Sequence, residues 1–150
     1  MQYSSEEIVK HMNTMQQGSI TGTLGIKIVV AEQDKVVGTM PVEPNRQPAG
    51  YLHGGASVVL AESLASLGTA LNIDGERQMA FGQEINANHL RPKRDGIVTG
   101  TATPIYKGRT SHVWEIRITD ENNRLICISR CTVAIVHRPP VNGNPLTKGE

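Results

Sequence analysis

Aromatic side chains are scarce in this sequence: Tyr3, Tyr51, Phe81, Tyr106 and Trp114 are all that 150 residues contain. So few rings cannot build the stacking platform on which single-stranded nucleic acid is held. Charge of one sign is missing as well. Fifteen Lys and Arg against fourteen Asp and Glu leave a formal charge of +1, so no global field draws the chain to DNA or to an anionic membrane, and neither partner is expected. No apolar run reaches the ~18 uninterrupted residues of a membrane span, because Glu62 and several hydroxyl residues break the best stretch. The start, MQYSSEEIVKHMNTM, has no basic segment followed by an apolar one, so a secretory leader is not expected and a cytoplasmic location is. Cysteine is limited to Cys127 and Cys131, four apart on a strand-like segment and hence ~13 Å apart along it, beyond disulfide reach. No nearby His or further Cys completes a ligand set, so two buried thiols are expected and no metal.

What is present suits one domain over residues 1–150, with 38% apolar and 19% charged residues. Ser4 and Glu7 fit a capping box, and Ile8, Val9, Met12 and Met15 follow at helical spacing, predicting a short helix over about 4–17 that stops at Gly18. Ile26, Ile28 and Val30 alternate against Lys27, the chain turns at Gln33 and Asp34, and Val36 and Val37 resume it: a hairpin. Pro44, Pro48 and Gly50 mark a loop. From Gly55 to about Asn72 good helix formers continue for about 18 residues, or ~27 Å. Val58, Val59, Leu60, Ala61, Leu64, Leu67 and Leu71 make that helix apolar over most of its circumference, so it belongs inside the protein. Four strands are predicted after it, at Gln78 to Leu90, Gly96 to Tyr106, Ser111 to Thr119 and Arg124 to His137, separated by RPKRDG, KGR and DENN turns. The tail over about 138–150 is expected to fray. The order α, β, β, α, β, β, β, β gives an α+β domain, an antiparallel sheet of about five to six strands curled around one long central helix. Such a sheet has edges to cover, and a homodimer joined edge to edge is the economical solution.

Glu62 is the residue out of place. A carboxylate amid apolar helix residues reaches solvent, pairs in a salt bridge at a helix end or an interface, or faces a semi-apolar pocket, where desolvation raises its pKa toward the range of proton transfer or nucleophilic attack. Ser66, at i+4, stands on the same face and can hold a water or the carboxylate. Ahead of them, HGG at 53–55 is either a plain loop-to-helix turn or an oxyanion site. A helix start leaves N–H groups free, Gly54 and Gly55 remove obstructing side chains, and Gln47 and His53 can add donors. Arg91, Lys93 and Arg94 share one turn, and Lys107 and Arg109 flank Gly108 in another. Each is commonly just solvated, but together they can clamp phosphates. His89, ending a strand, is structural or a ligand contact.

Three stretches, QPAGYLHGGASVVLAESLAS, GQEINANHLRP and KGRTSHVWEIRITDENNRLICISRCTVAIV, closely resemble the hotdog-fold acyl-CoA thioesterases. The likeness is strongest to the 4-hydroxybenzoyl-CoA thioesterase group and, within it, the 1,4-dihydroxy-2-naphthoyl-CoA hydrolases of menaquinone biosynthesis and their proofreading relatives. The resemblance spans about residues 5–137 and implies hydrolysis of acyl-CoA thioesters with aromatic acyl groups, such as 1,4-dihydroxy-2-naphthoyl-CoA or hydroxybenzoyl-CoA, with no cofactor beyond the coenzyme A of the substrate. It implies Glu62 as general base or nucleophile, Gly54 as the N–H that polarises the thioester carbonyl, Gln47 and His53 as orienting side chains and Ser66 as holder of the attacking water. It further implies substrate binding by Gly55, Gly82, the His89, Leu90, Arg91 and Pro92 turn, and the turn of Tyr106, Lys107, Gly108, Arg109, Thr110 and Ser111. In that family the site forms across a dimer, Gln47 and His53 of one subunit meeting Glu62 and Ser66 of the other, and dimers pair into tetramers. The competing expectations are a proofreading thioesterase on an aryl carrier protein, a hotdog dehydratase, against which HGGA stands in place of an HFPG-like motif, and a non-catalytic acyl-CoA-binding module.

Overall fold

The first helix, α1 (Ser5–Met15), starts at the expected capping box: Glu7 N–H donates to Ser4 Oγ at 3.2 Å and Ser4 N–H to Glu7 Oε2 at 2.8 Å. In this computed structural model, which describes residues 4–139, α1 is followed by a four-residue helix α2 (Ile20–Thr23) and a hairpin of β1 (Lys27–Glu32) and β2 (Lys35–Pro41). A single 3-10 turn at Glu43–Asn45 leads to the long helix α3 (Gly54–Ala70), and then come β3 (Gln78–His89), β4 (Ile97–Lys107), β5 (Ser111–Thr119) and β6 (Leu125–His137). Every predicted helix and strand is found with its ends within two residues. Unpredicted is α2, a single turn capped by Ser19 Oγ, too short to show a periodicity. The fraying expected from residue 138 falls mostly outside the described residues. Arg138 itself is tied down, its N–H donating to the Arg77 carbonyl and its Nε to that of Gly75.

One inward position in β1 differs from expectation. Ile26 and Ile28 are buried as predicted, but Val30 is only half-buried and Ala31 takes the core position. A bulge between Ile28 and Val30 inserts one residue and reverses the alternation beyond it.

The strands form one antiparallel sheet in the order β1-β2-β4-β5-β6-β3, curled over α3, which packs on all of them. Close approach is made possible by missing side chains. A Cβ on Gly68 of α3 would lie 2.5 Å from Trp114 Cη2, so the helix lies directly on the fully buried indole, whose Nε1 donates to Thr69 Oγ1 at 2.9 Å. Cβ atoms on Gly38 and Gly100 would each stand 2.8 Å from a Leu64 methyl, which lets β2 and β4 close on the same helix. His112 is buried on β5 with Nδ1 unpaired among the described residues. Burial, and next the Lys107 charge, hold its pKa below the usual imidazole value, so it is a neutral core residue.

The two sheet edges are treated differently. At β1, Asn13 of α1 imitates a strand: its Nδ2 donates to the Ile28 carbonyl at 2.9 Å and its Oδ1 accepts the Ile28 N–H at 2.8 Å. Ser5 Oγ accepts the Ala31 N–H at 3.3 Å. At the other end β3 pairs only with β6, and its outer edge is open among the described residues.

Candidate active site

The start of α3 presents one backbone donor. His53 caps the helix, its Nδ1 accepting the Gly55 N–H at 2.8 Å, while Ala56 and Ser57 N–H reach the His53 carbonyl at 3.0 and 3.4 Å. The Gly54 N–H has no acceptor among the described residues. It sits where the helix dipole is most positive, which suits an oxygen gaining negative charge. An Nδ1 that accepts leaves the ring proton on Nε2, but within one chain the exposed His53 ring lines a separate pocket with Ile20, Leu24 and Ala56 rather than the cleft that holds Gly54. The loop before the helix is braced by Asn45, whose Nδ2 donates to the carbonyls of Leu24 and Pro41 at 2.8 Å each. Gln47 spends its carbonyl oxygen on the Ala49 N–H, so its NH2 group is the end available to a ligand.

A cleft of about 400 Å³ opens beside this helix start, lined among others by Gln47, Tyr51, Gly54, Ser57, His89 and Arg91. His89 is closer to the helix than its place at a strand end suggests: a Cβ on Gly54 would stand 2.7 Å from His89 Nε2. Glycine at 54 therefore keeps both the imidazole and a ligand within reach of the backbone. Leu90 and Pro92 complete the rim of the cleft, whereas Gly55 is exposed beside it. Ser57, buried in the first turn, went unnoticed in the sequence, where it reads as one small helix residue among several.

Glu62 and Ser66 are not part of that cleft. Eight residues separate Glu62 from Gly54, about 12 Å of helical rise, and its half-buried carboxylate lies on β3 against Gly82, where a Cβ would overlap Oε1. Among the described residues Glu62 has no salt bridge, so no cation of its own chain pairs it. The neighbouring Cys131 thiol is pushed up to about 12, first by burial and then by the charges of Glu62 and Glu84. Ser66 is half-buried one turn beyond Glu62. Ser63 nearby donates to the Val59 carbonyl at 2.6 Å, so Ser66 carries the uncommitted hydroxyl on this face.

The two basic turns sit at opposite ends of α3, about 25 Å apart for 17 residues. One chain thus cannot close both on one nucleotide. In the β3–β4 turn Lys93 is bound to Glu121 at 2.6 Å, and Arg94 donates to the Tyr51 hydroxyl at 2.6 Å with its guanidinium 4.2 Å from the ring centre. Arg91 has no ion pair among the described residues. In the β4–β5 turn, Lys107 donates to Asp34 at 2.5 Å and to Asn72 at 3.1 Å, which anchors the turn to the β1–β2 hairpin and the end of α3. Tyr106 packs over Gly108, Gly108 N–H donates to the Ser111 carbonyl, and the Ile135 N–H reaches the Thr110 carbonyl. Arg109 remains exposed and unpaired among the described residues. No three His, Cys, Asp or Glu side chains among the described residues gather as a metal site, and no described helix is long and apolar enough to cross a membrane.

An antiparallel sheet curled around one central helix, with a free N–H at that helix's start and a lone carboxylate midway along it, is the hotdog architecture of thioester-cleaving enzymes. The comparisons agree. Residues 49–127 match the family model described as the thioesterase superfamily. A 1,4-dihydroxy-2-naphthoyl-CoA hydrolase from Listeria monocytogenes is 54% identical over 114 residues, 75% of this chain and 92% of the relative. A thioesterase from Pseudomonas aeruginosa, solved with alanine replacing one glutamine, superposes with a TM-score of 0.84 at 43% identity, covering 87% of this chain and 94% of that one. A Staphylococcus aureus protein has been solved twice, with alanine for a glutamate and with alanine for a glutamine fifteen positions before it. The TM-scores are 0.77 and 0.75 at 43% and 44% identity, covering 79% and 77% of this chain and 99% and 97% of that one. The chain belongs to the thioesterase superfamily, and it is a thioester hydrolase.

Proposed function

We propose that this enzyme hydrolyses acyl-CoA thioesters with aromatic acyl groups, of the 1,4-dihydroxy-2-naphthoyl type, in a site shared by two copies of the chain. The observation that carries the reading is the Gly54 N–H at the start of α3, which has no acceptor among the described residues. A thioester carbonyl placed there gains charge stabilisation as it becomes tetrahedral, a contact worth ~3 kcal/mol in comparable sites. His53 Nε2–H and the Gln47 NH2 orient the carbonyl and the leaving sulfur. Glu62 either attacks the carbonyl carbon directly, giving a mixed anhydride that water then hydrolyses, or takes the proton of a water held by Ser66 so that this water attacks. The thiol of CoA leaves with a proton and the acid is released. No resident cofactor is required of this chemistry, coenzyme A entering and leaving with the substrate. Gln47 and Glu62 stand fifteen residues apart, the spacing of the two positions altered in the Staphylococcus aureus relative.

Since Glu62 is about 12 Å along the helix from Gly54, the carboxylate that serves a Gly54 comes from a second copy. The open β3 edge supports this, because it is the edge left unsealed and the strand on which Glu62 rests. Two-fold antiparallel pairing of β3 edges runs the second α3 in the opposite direction beside the first. The same operation carries Arg91 and the His89 to Pro92 turn of one copy toward Arg109 and the Tyr106 to Ser111 turn of the other, completing a cradle for the phosphates and pantetheine arm of CoA. Pairing of dimers into tetramers and a cytoplasmic location complete the reading. The test is a panel of 1,4-dihydroxy-2-naphthoyl-, benzoyl- and medium-chain acyl-CoA followed by free thiol. The aryl thioesters are expected to exceed the medium-chain ones in kcat/KM by at least about tenfold, the scale on which pocket shape discriminates. Equal or reversed values contradict an aromatic preference.

A further inference from the structure

The loop between β3 and β4 is held from both sides. On one side stands a single carboxylate in the distant β5–β6 turn: Glu121 Oε2 accepts from Lys93 Nζ at 2.6 Å, and Oε1 accepts the Ile97 N–H at 2.7 Å. Gly96, at φ 74°, leaves the space this carboxylate fills, since a Cβ there would overlap Oε1. Glu121 is itself presented by a rigid turn, in which the buried Asp120 accepts from the Asn122 and Arg124 N–H groups and from Arg124 Nε. On the other side the loop carries the segment that forms the cleft. Leu52 N–H donates to the Lys93 carbonyl at 2.7 Å, Arg46 Nε to the Arg94 carbonyl at 2.7 Å, and Arg94 to the Tyr51 hydroxyl. The loop is thus a spacer between Glu121 and the Gln47–Leu52 segment, with Arg91 and Pro92 on the cleft wall.

We propose that Glu121 is a positioning residue for the anionic end of the substrate: by holding Lys93 and the Ile97 N–H it fixes the loop that presents Arg91 to the cleft beside Gly54. This rests on the reading that the Arg91 turn receives the phosphates of CoA. Glu121 touches neither the thioester nor the nucleotide, and it consumes the one loop lysine that could otherwise compete with Arg91. The Lys93 ammonium, then the Ile97 N–H, hold its carboxyl at about 2, so the latch stays charged throughout the range in which a thioesterase is assayed.

The experiment compares an aryl-CoA with the same acyl group on N-acetylcysteamine, which has the thioester but no nucleotide. In Glu121→Ala the ratio of kcat/KM for the CoA substrate over the truncated one is expected to fall about tenfold, through KM, as for a lost charge-assisted contact. Glu121→Gln, which retains an acceptor for Ile97 and keeps the side chain's size, should fall between Ala and the parent and carries the test if the Ala variant fails to fold. An unchanged or raised ratio overturns the proposal, since Lys93 set free would then serve the phosphates as well as the fixed loop does. Equal losses on both substrates overturn it too, as the mark of a purely structural role. Arg91→Ala separates this inference from the reading beneath it. If Arg91→Ala lowers the ratio and the Glu121 variants do not, the inference fails alone; if Arg91→Ala leaves the ratio unmoved, the phosphate reading fails and takes the inference with it.

Discussion

Replacing Glu62 by Gln should lower kcat for aryl-CoA hydrolysis at least about a thousandfold, or ~4 kcal/mol in the barrier, while leaving the fold intact. Glutamine has the size and the acceptor oxygen of glutamate but can neither take a proton near neutral pH nor form a mixed anhydride. The carboxylate has no salt bridge among the described residues to lose, and its surroundings are the backbone of Gly82 and the Cys131 thiol rather than a cation. Removing its charge therefore strands no buried partner, the usual source of large destabilisation at charged positions. Thiol release with a naphthoyl-CoA substrate gives the rate and thermal unfolding gives the control. A Gln variant within tenfold of the parent contradicts the assigned role.

Gly82→Val should produce the next largest loss, about a hundredfold in kcat, without replacing a reacting group. A Cβ at this position falls on Glu62 Oε1 and lies 2.8 Å from Cδ, so the carboxylate must leave its seat on β3. The displaced atoms are the end of a flexible side chain, so the fold is spared, and valine suits an extended backbone better than glycine does. Misplacing a reacting group by about 1 Å is enough for a loss of this size. The expected pattern is a low kcat with a melting temperature equal to or above that of the parent. Full activity would mean that the carboxylate need not rest on β3 to work.

The architecture was legible because its signals are local: a capping box at Ser4, period-two alternation in the strands, and an apolar helix read from Gly55 and found to start at Gly54. Where local pattern failed, a non-local fact decided. Val30 yields its core place to Ala31 because a bulge shifts the register, and no residue there announces one. Three cations in one turn read as a phosphate clamp, yet Lys93 finds Glu121 twenty-eight positions away and Arg94 finds Tyr51 forty-three away, leaving Arg91. His89 offered little as the last residue of a strand. It matters because the curl of β3 brings its ring onto Gly54. Glu62 and the HGG turn stood out because each breaks the rule of its surroundings, an acid on an apolar helix and two glycines at a helix start. Their separation along α3 was readable too, from helical rise alone. The sequence could not show which sheet edge stays open, since that depends on Asn13 reaching across to seal β1.

The central claim is that each site takes Glu62 from one copy and Gly54, with Gln47 and His53, from another. Mixing separately inactive Gln47→Ala and Glu62→Ala chains under conditions that exchange subunits tests it most directly. Random two-fold pairing gives half of the dimers as hybrids, each with one intact site and one doubly altered, so activity should rise to about a quarter of the parent's per chain. If each site lies within a single chain, every hybrid carries two damaged sites and the mixture stays at the level of its inactive components, which would contradict the account.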